Sequence, residues 1–285
     1  ARIVQLITKT EIERAPVRSV NDLLLYVAGA DIRQRGPLGA QADISIRGGS
    51  YEQTLILLNG IPLNDPQTGH HTLNLPVDIE SIERIEILDG PGSKAFGTNA
   101  FNGVINIITG NSAPNRLRLS GLYGQHNLYK FSGNISNTVR RFSHFVSISR
   151  MGTEGYIHNT DFLGTNMFYQ ATYQHKPGSV VMQAGYNVKE FGANSFYSLK
   201  YPEQFEKTKT EFFSVKYVSK QKIKVEPSVY LRKHNDHFEL IRGSEIPVPY
   251  NNHLTYTGGV NLTVSTVWKY GRTSLGIDVR NEFIL

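Results

Sequence analysis

The chain of 285 residues contains no cysteine, which removes disulfide scaffolds, thiolate zinc sites and thiol nucleophiles in one step. The absence is compatible with an oxidising compartment. No run approaches the roughly 18–20 apolar residues of a membrane helix. The longest, LLLYVA at 23–28, makes a helix core at most. Membrane barrels stay open, because their strands show only alternation. Although the net charge is +6, Lys and Arg form no sustained block; they are scattered over polar faces, the pattern of solvated surface and not of a nucleic-acid footprint. Pieces such as GPLGAQ fit neither a P-loop nor a dinucleotide fingerprint. No pair among the 24 acidic residues stands out as a catalytic acid and base, so an enzyme of the glycosidase type is not expected. No signal peptide precedes Ala1, so any export signal is expected either to have been removed or to lie outside the given sequence.

Only 39% of the residues are hydrophobic, below the usual globular share. Abundant instead are 15 Tyr, 14 Phe and 26 Gly, which suit β structure rich in turns. Residues 1–110 mix two periodicities. TEIE at 10–13 has capping-box spacing, with Pro16 allowing only a short turn after it, and Ser19 with Asp22 repeats that spacing ahead of a helix whose Leu23, Leu24 and Val27 share a face. Gly29 is its natural stop. ADISIRGG, TLILLNG, RIEILDG and GVINIIT predict about four short strands, with Asn59-Gly60 a tight turn. Gly90 and Gly92 permit a sharp turn, and Gly97 and Gly103 a close backbone approach.

Beyond Gly110 the character changes. About nine strand-like segments succeed one another, near 116–124, 128–139, 141–151, 163–175, 178–190, 208–219, 222–233, 252–268 and 272–283, joined alternately by tight turns and long polar loops. In 254–268 one face carries Leu254, Tyr256, Val260, Leu262, Val264 and Trp268, the other Thr255, Thr257, Asn261, Thr263 and Ser265. Tyr256 and Trp268 are separated by roughly 40 Å of strand. A tilt near 45° makes that roughly 28 Å of height, close to an apolar band between aromatic girdles. A sandwich strand explains one such segment; nine of them favour a barrel wall.

The ordered stretches SVNDLLLYVAGADIRQRG, ISIRGGSYEQTLILLNGIPLNDPQTG and IESIERIEILDGPGSKAFGTNAFNGVINIIT resemble the plug domain of TonB-dependent outer-membrane receptors. The resemblance implies an α+β plug with a small sheet over 1–110, then over 116–285 the N-terminal part of a large antiparallel transmembrane β-barrel, about nine of about 22 strands. It further implies an outer-membrane transporter of a Gram-negative bacterium, a TonB-type partner engaging a box ahead of Ala1, outer-membrane lipid around the wall, room for a surface lipoprotein partner, and no catalysis. FGANSFYSLKYPEQFEKTKTEFF is similar to the vitamin B12 (cobalamin) subgroup, pointing to a corrinoid; a ferric siderophore or an oligosaccharide is the alternative within the family. A soluble β-rich carbohydrate-binding or adhesion protein is the alternative outside it.

By motif position the substrate-facing plug loops are 51–53, 64–72 and 94–99. From them Tyr51, Gln67, Thr68, His70, His71, Phe96, Thr98 and Asn99 are the expected substrate contacts. Gln, Asn, Thr, Tyr and His both donate and accept, and only Lys94 brings a firm positive charge, whereas an anionic ferric siderophore would be expected to recruit Arg and Lys. His70 and His71 are read as exposed polar residues and not as metal ligands. The first long wall loops hold only scattered acids (Glu154, Asp161, Glu190, Glu203, Glu206), so no calcium cage is expected, and no cofactor. Arg47 is read as an ion-pair or hydrogen-bond partner within the plug core.

Overall fold

The computed structural model describes residues 4–36, 38–90, 92, 97–110, 115–245 and 248–285. The plug is built on a five-stranded sheet of β1 (Val4–Thr8), β4 (Thr54–Leu58), β5 (Ile61–Pro62), β6 (Ile82–Asp89) and β7 (Gly103–Thr109), in the order β1-β6-β7-β4-β5. β4 lies parallel to β7, with Thr54 opposite Gly103, while β6 and β7 are antiparallel. Asn59 and Gly60 both take positive φ between β4 and β5, the primed turn that the Asn-Gly pair favours. ADISIRGG does not join this sheet: β3 (Gln41–Ile46) pairs with β2 (Ala30–Arg35) as a separate hairpin.

Two short helices close the plug. Ser19 caps α2 (Val20–Leu24) in a reciprocal box with Asp22, as its spacing indicates. The box of α1 (Lys9–Arg14) is Thr8 with Glu11, two residues ahead of the Thr10–Glu13 reading. Thr8 is also the last residue of β1, so the chain turns straight from strand to helix and the first hydroxyl available becomes the cap. Leu23, Leu24 and Val27 are buried with Ile44, Ile46, Ile56, Leu58, Ile85 and Ile105 in one apolar core. At Gly103 a Cβ would sit 2.6 Å from Ile46 Cδ1 and 2.9 Å from the Leu88 carbonyl, so the close approach expected there is real. At Gly97 no atom of the described residues would meet a Cβ, and φ of +88° by itself calls for glycine.

The wall is a nine-stranded antiparallel sheet in strict chain order: β8 (Arg116–Tyr123), β9 (Tyr129–Val139), β10 (Phe142–Thr153), β11 (Phe162–His175), β12 (Gly178–Gly192), β13 (Phe205–Ser219), β14 (Ile223–Glu239), β15 (Tyr250–Trp268) and β16 (Gly271–Ile284). Connections 140–141, 176–177, 220–222 and 269–270 lie at one end, and the longer 154–161, 193–204 and 240–249 at the other. The two faces are inverted relative to a soluble protein. Facing outward and exposed are Leu119, Phe131, Val146, Ile148, Met167, Phe213, Leu231, Val260 and Ile277; facing the plug and buried are Ser132, Asn134, Ser147, Gln183, Asn187, Thr208, Thr210, His234 and Thr257. A sandwich would bury the apolar face; a wall with lipid outside and polar contents inside shows it. No helix among the described residues is long and apolar enough to cross a membrane.

Candidate functional site

The loop 64–72 is anchored at its base by Asn64, whose Oδ1 accepts from the Ile56 amide (3.2 Å) and whose Nδ2 donates to the Thr54 carbonyl (3.4 Å). Its turn is held from within. Asp65 Oδ2 accepts from both the amide and the hydroxyl of Thr68 at 3.3 Å, and Thr72 Oγ1 donates to the Gly69 carbonyl at 2.8 Å. Gly69 takes φ of +71° with the Tyr51 ring so near that a Cβ would lie 2.7 Å away. Tyr51 then packs on His70, ring centroids 4.7 Å apart, and His70 Nδ1 meets Asp43 Oδ1 at 2.6 Å. Burial, with the charges of Glu52 and Asp43, raises the Tyr51 phenol above its ordinary pKa, so it stays a neutral donor.

This loop lies towards the long-loop end of the wall. Thr255, near the start of β15, donates to Gln67 Oε1 at 3.3 Å, and Arg280 on β16 donates to Asn99 Oδ1 at 3.4 Å. Between plug and wall is a cavity of about 230 Å3, lined by Glu52, Asp65, Gln67, Asn99, Arg280 and Glu282 among others. Arg280 is the one cation among its described lining residues, and it is ion-paired to Glu282 at 2.8 Å.

The expected contacts therefore separate. Gln67 and Asn99 line the cavity, Tyr51 and His70 flank it through Glu52 and Gly69, and Thr68 is engaged in holding Asp65. Lys94 and Phe96 lie outside the described residues, and of Thr98 only the backbone is described, opening the turn Thr98–Ala100. His71 turns the other way. It is 3% exposed, with Nδ1 3.8 Å from Glu206 Oε1 and Nε2 3.6 Å from Asp236 Oδ2, both on the wall. Burial alone would favour the neutral ring, but the close approach of Asp236 and the charges of Glu206, Asp236 and Asp65 outweigh it and raise the His71 pKa. Sequence reasoning misses Arg280 and Glu282, since it draws the site from plug loops alone and strand register places these two; Glu52 and Asp65 sit inside those loops, but their roles come from geometry.

The loop 193–204 is fastened down beside this site. Tyr197 donates to Glu206 Oε2 (3.0 Å) and accepts from Gln41 Nε2 (3.1 Å), while the Arg35 guanidinium stacks 5.2 Å over its ring and donates to the Phe196 carbonyl. Burial and the Glu206 charge push the Tyr197 phenol far up.

Residues 1–104 match the family described as TonB-dependent Receptor Plug Domain. Over 107 residues the chain is 39% identical to a protein of Vibrio vulnificus (strain CMCP6), "Vitamin B12 transporter BtuB"; the match covers 38% of this chain and 17% of that protein. The whole fold is similar to the solved structures of "Copper transporter OprC" (TM-score 0.81, 16% identity, 100% of this chain and 46% of that one) and the FrpB iron transporter of Neisseria meningitidis (0.80, 14%, 99% and 48%). The unliganded ferric citrate transporter FecA is similar too (0.77, 14%, 99% and 47%). The chain spans under half the length of these structures.

Proposed function

From a chain whose first 104 residues carry a TonB-dependent receptor plug and whose wall has the fold of those outer-membrane receptors, we propose active uptake of a large, nearly neutral nutrient, a corrinoid of the cobalamin type. Proton-gradient energy, delivered by a TonB-type partner, would displace the plug, with no chemical change to the ligand. The reading is carried by the cavity under loop 64–72. Its amide and hydroxyl groups suit an amide-rimmed ligand, and its one described cation is already paired. An anionic ferric chelate would meet Glu52, Asp65 and Glu282 with no free positive charge among the described lining residues. The similarity of the plug to a vitamin B12 transporter supports the same ligand.

Each neutral hydrogen bond contributes only about 0.5–1.5 kcal/mol, so affinity must be spread over many contacts. Replacing Gln67, Thr68 and Asn99 together by Ala is expected to weaken corrinoid binding by roughly 10- to 1,000-fold. Titration calorimetry of the full-length receptor with cyanocobalamin and with a ferric siderophore tests the reading. Saturable siderophore binding beside no corrinoid heat would transfer the proposal to the siderophore class.

A further inference from the structure

Where His71 meets the wall, the structure collects more metal-binding groups than its hydrogen bonds use. A ligand atom each from His71, Glu206 and Asp236 lie within 4.8 Å of one another, and the three residues are 3%, 1% and 7% exposed. Two further imidazoles adjoin them. The His234 ring is 4.9 Å from that of His71, and His253 Nδ1 is 3.7 Å from Asp236 Oδ2. Four buried atoms here, Glu206 Oε1, Asp236 Oδ1, His234 Nε2 and His253 Nδ1, have no hydrogen-bond partner. Such atoms are costly to leave unsatisfied.

The cations around the cluster face the plug. Arg232 is in ion-pair contact with Asp65 at 3.7 Å, with Nη1 and Nη2 left without a hydrogen bond, and Lys189 donates to the Gly39 carbonyl and Asn74 Oδ1 at 2.7 and 3.0 Å. In ion-pair contact, Glu206 and Asp236 have imidazoles alone among the described residues. Lys189 has only donors, so Asn74 must turn its oxygen to it and its NH2 to His71 Nδ1, 3.3 Å away. Nδ1 therefore carries the lone pair, held only by that 3.3 Å contact with Asn74, which an ion would replace; 3.8 Å away Glu206 Oε1 has no donor at all. Two acceptors facing each other across a buried gap call for a cation. A proton on His71 would serve that pair, but would leave His234 Nε2 and His253 Nδ1 as they are. A metal ion has coordination positions for them.

We propose that this cluster binds one divalent transition ion, with His71, Glu206 and Asp236 as ligands and His234 or His253 completing the set. Imidazole with carboxylate suits zinc or nickel better than calcium, which takes oxygen alone. With one nitrogen of His71 as its ligand atom, the three donor atoms lie within 4.8 Å of one another, wider than the roughly 3.4 Å implied by tetrahedral bonds of about 2.1 Å, so the side chains would close by about an ångström around the ion. Thr210 Oγ1 lies 2.9 Å from His234 Nδ1 and orients that ring. The ion would join the plug loop that carries Gln67 and His70 to strands β13 and β14, whichever nutrient is transported.

The test uses full-length receptor without a histidine tag, stripped by chelator and titrated with Zn2+ or Ni2+ alone. One equivalent is expected to bind, and Glu206→Gln and His71→Ala to weaken it at least 10-fold each, while His158→Ala, at an exposed His–Glu pair elsewhere, leaves it unchanged. If the variants do not fold, X-ray absorption of the nickel-loaded wild type decides: imidazole scattering with mixed N/O ligands supports the site. No binding below about 100 μM, affinity indifferent to Glu206 and His71, or an all-oxygen shell would overturn it.

Discussion

Lys130 shows how single residues tie the plug to its wall. Its buried ammonium, on β9, reaches Glu80 Oε2 at 2.9 Å, Asp78 Oδ2 at 3.1 Å and the Arg18 carbonyl at 3.4 Å. One cation between two carboxylates leaves a charge over, and the acids share the deficit. Burial, then the contact with Glu80, pushes Asp78 up to about 7. Burial acts on Glu80 in the same sense, but its hydrogen bonds from Asp78 and Lys130 hold it below its ordinary value. A carboxyl raised in the folded state binds its proton more tightly there, so its contribution is full below about pH 4 and lost as pH rises towards 7. Asp78→Asn should remove that loss, on the order of 4 kcal/mol. Thermal unfolding of the two proteins in detergent from pH 4 to 7 checks it, and equal slopes would refute the assignment. Little of this was legible in the chain: the Ser19–Asp22 cap can be read from spacing alone, whereas Lys130 meets Asp78 only through the register of β9. Arg47 illustrates the same limit. It pairs with Asp89 at 2.6 Å as the IRG motif suggests, but at the exposed edge of the plug and not in its core.

At the scale of elements, the wall strands are readable wherever alternation sets apolar against polar residues, and not beyond. The legible part of β14 ends at 233, yet the strand continues to Glu239. From Lys233 upward its outward residues Lys233, Asn235 and His237 are as polar as inward His234 and Asp236, so the period of two vanishes from composition while the backbone ladder to β15 continues. Asp236 lies in that illegible stretch, which is why its cluster with His71 has no sequence signal. β5 escapes notice for another reason: at two residues it is too short to show a period. Where the alternation is strong it makes a quantitative claim. Val260, mid-strand on β15, is 55% exposed between Val229 and Val279. Val260→Arg should destabilise the receptor in bilayers by about 2–4 kcal/mol if that face lies in lipid near the midplane. Reversible unfolding from liposomes would show this, and a neutral result would move the apolar band elsewhere.

For the whole molecule, the consequential relation is between plug and wall. If uptake is powered as proposed, cells carrying the full-length receptor should accumulate corrinoid only while the proton gradient stands, and an uncoupler should abolish uptake without altering binding. The chain offers a sharper instrument as well. Ser81 in the plug donates to Ser147 on β10 at 2.6 Å, and there is no native cysteine to interfere. Ser81→Cys with Ser147→Cys should form a disulfide between them. Oxidised cells should bind ligand but transport at least 10-fold less, and reductant should restore the rate; undiminished transport through a confirmed crosslink would mean that this part of the plug does not leave the wall.

The buried seam itself has a mechanical consequence. Much of what faces the plug along β9 to β15 is hydroxyl, amide or charge: Ser132, Ser147, Ser149, Gln183, Asn187, Thr208, Lys130, Arg232. Groups of this kind lose little when protein partners are exchanged for water. A gap opened along the seam would wet without a large hydrophobic penalty and close again as water leaves. The contact then behaves as a lubricated bearing, gripping at rest and yielding to modest force once water can enter.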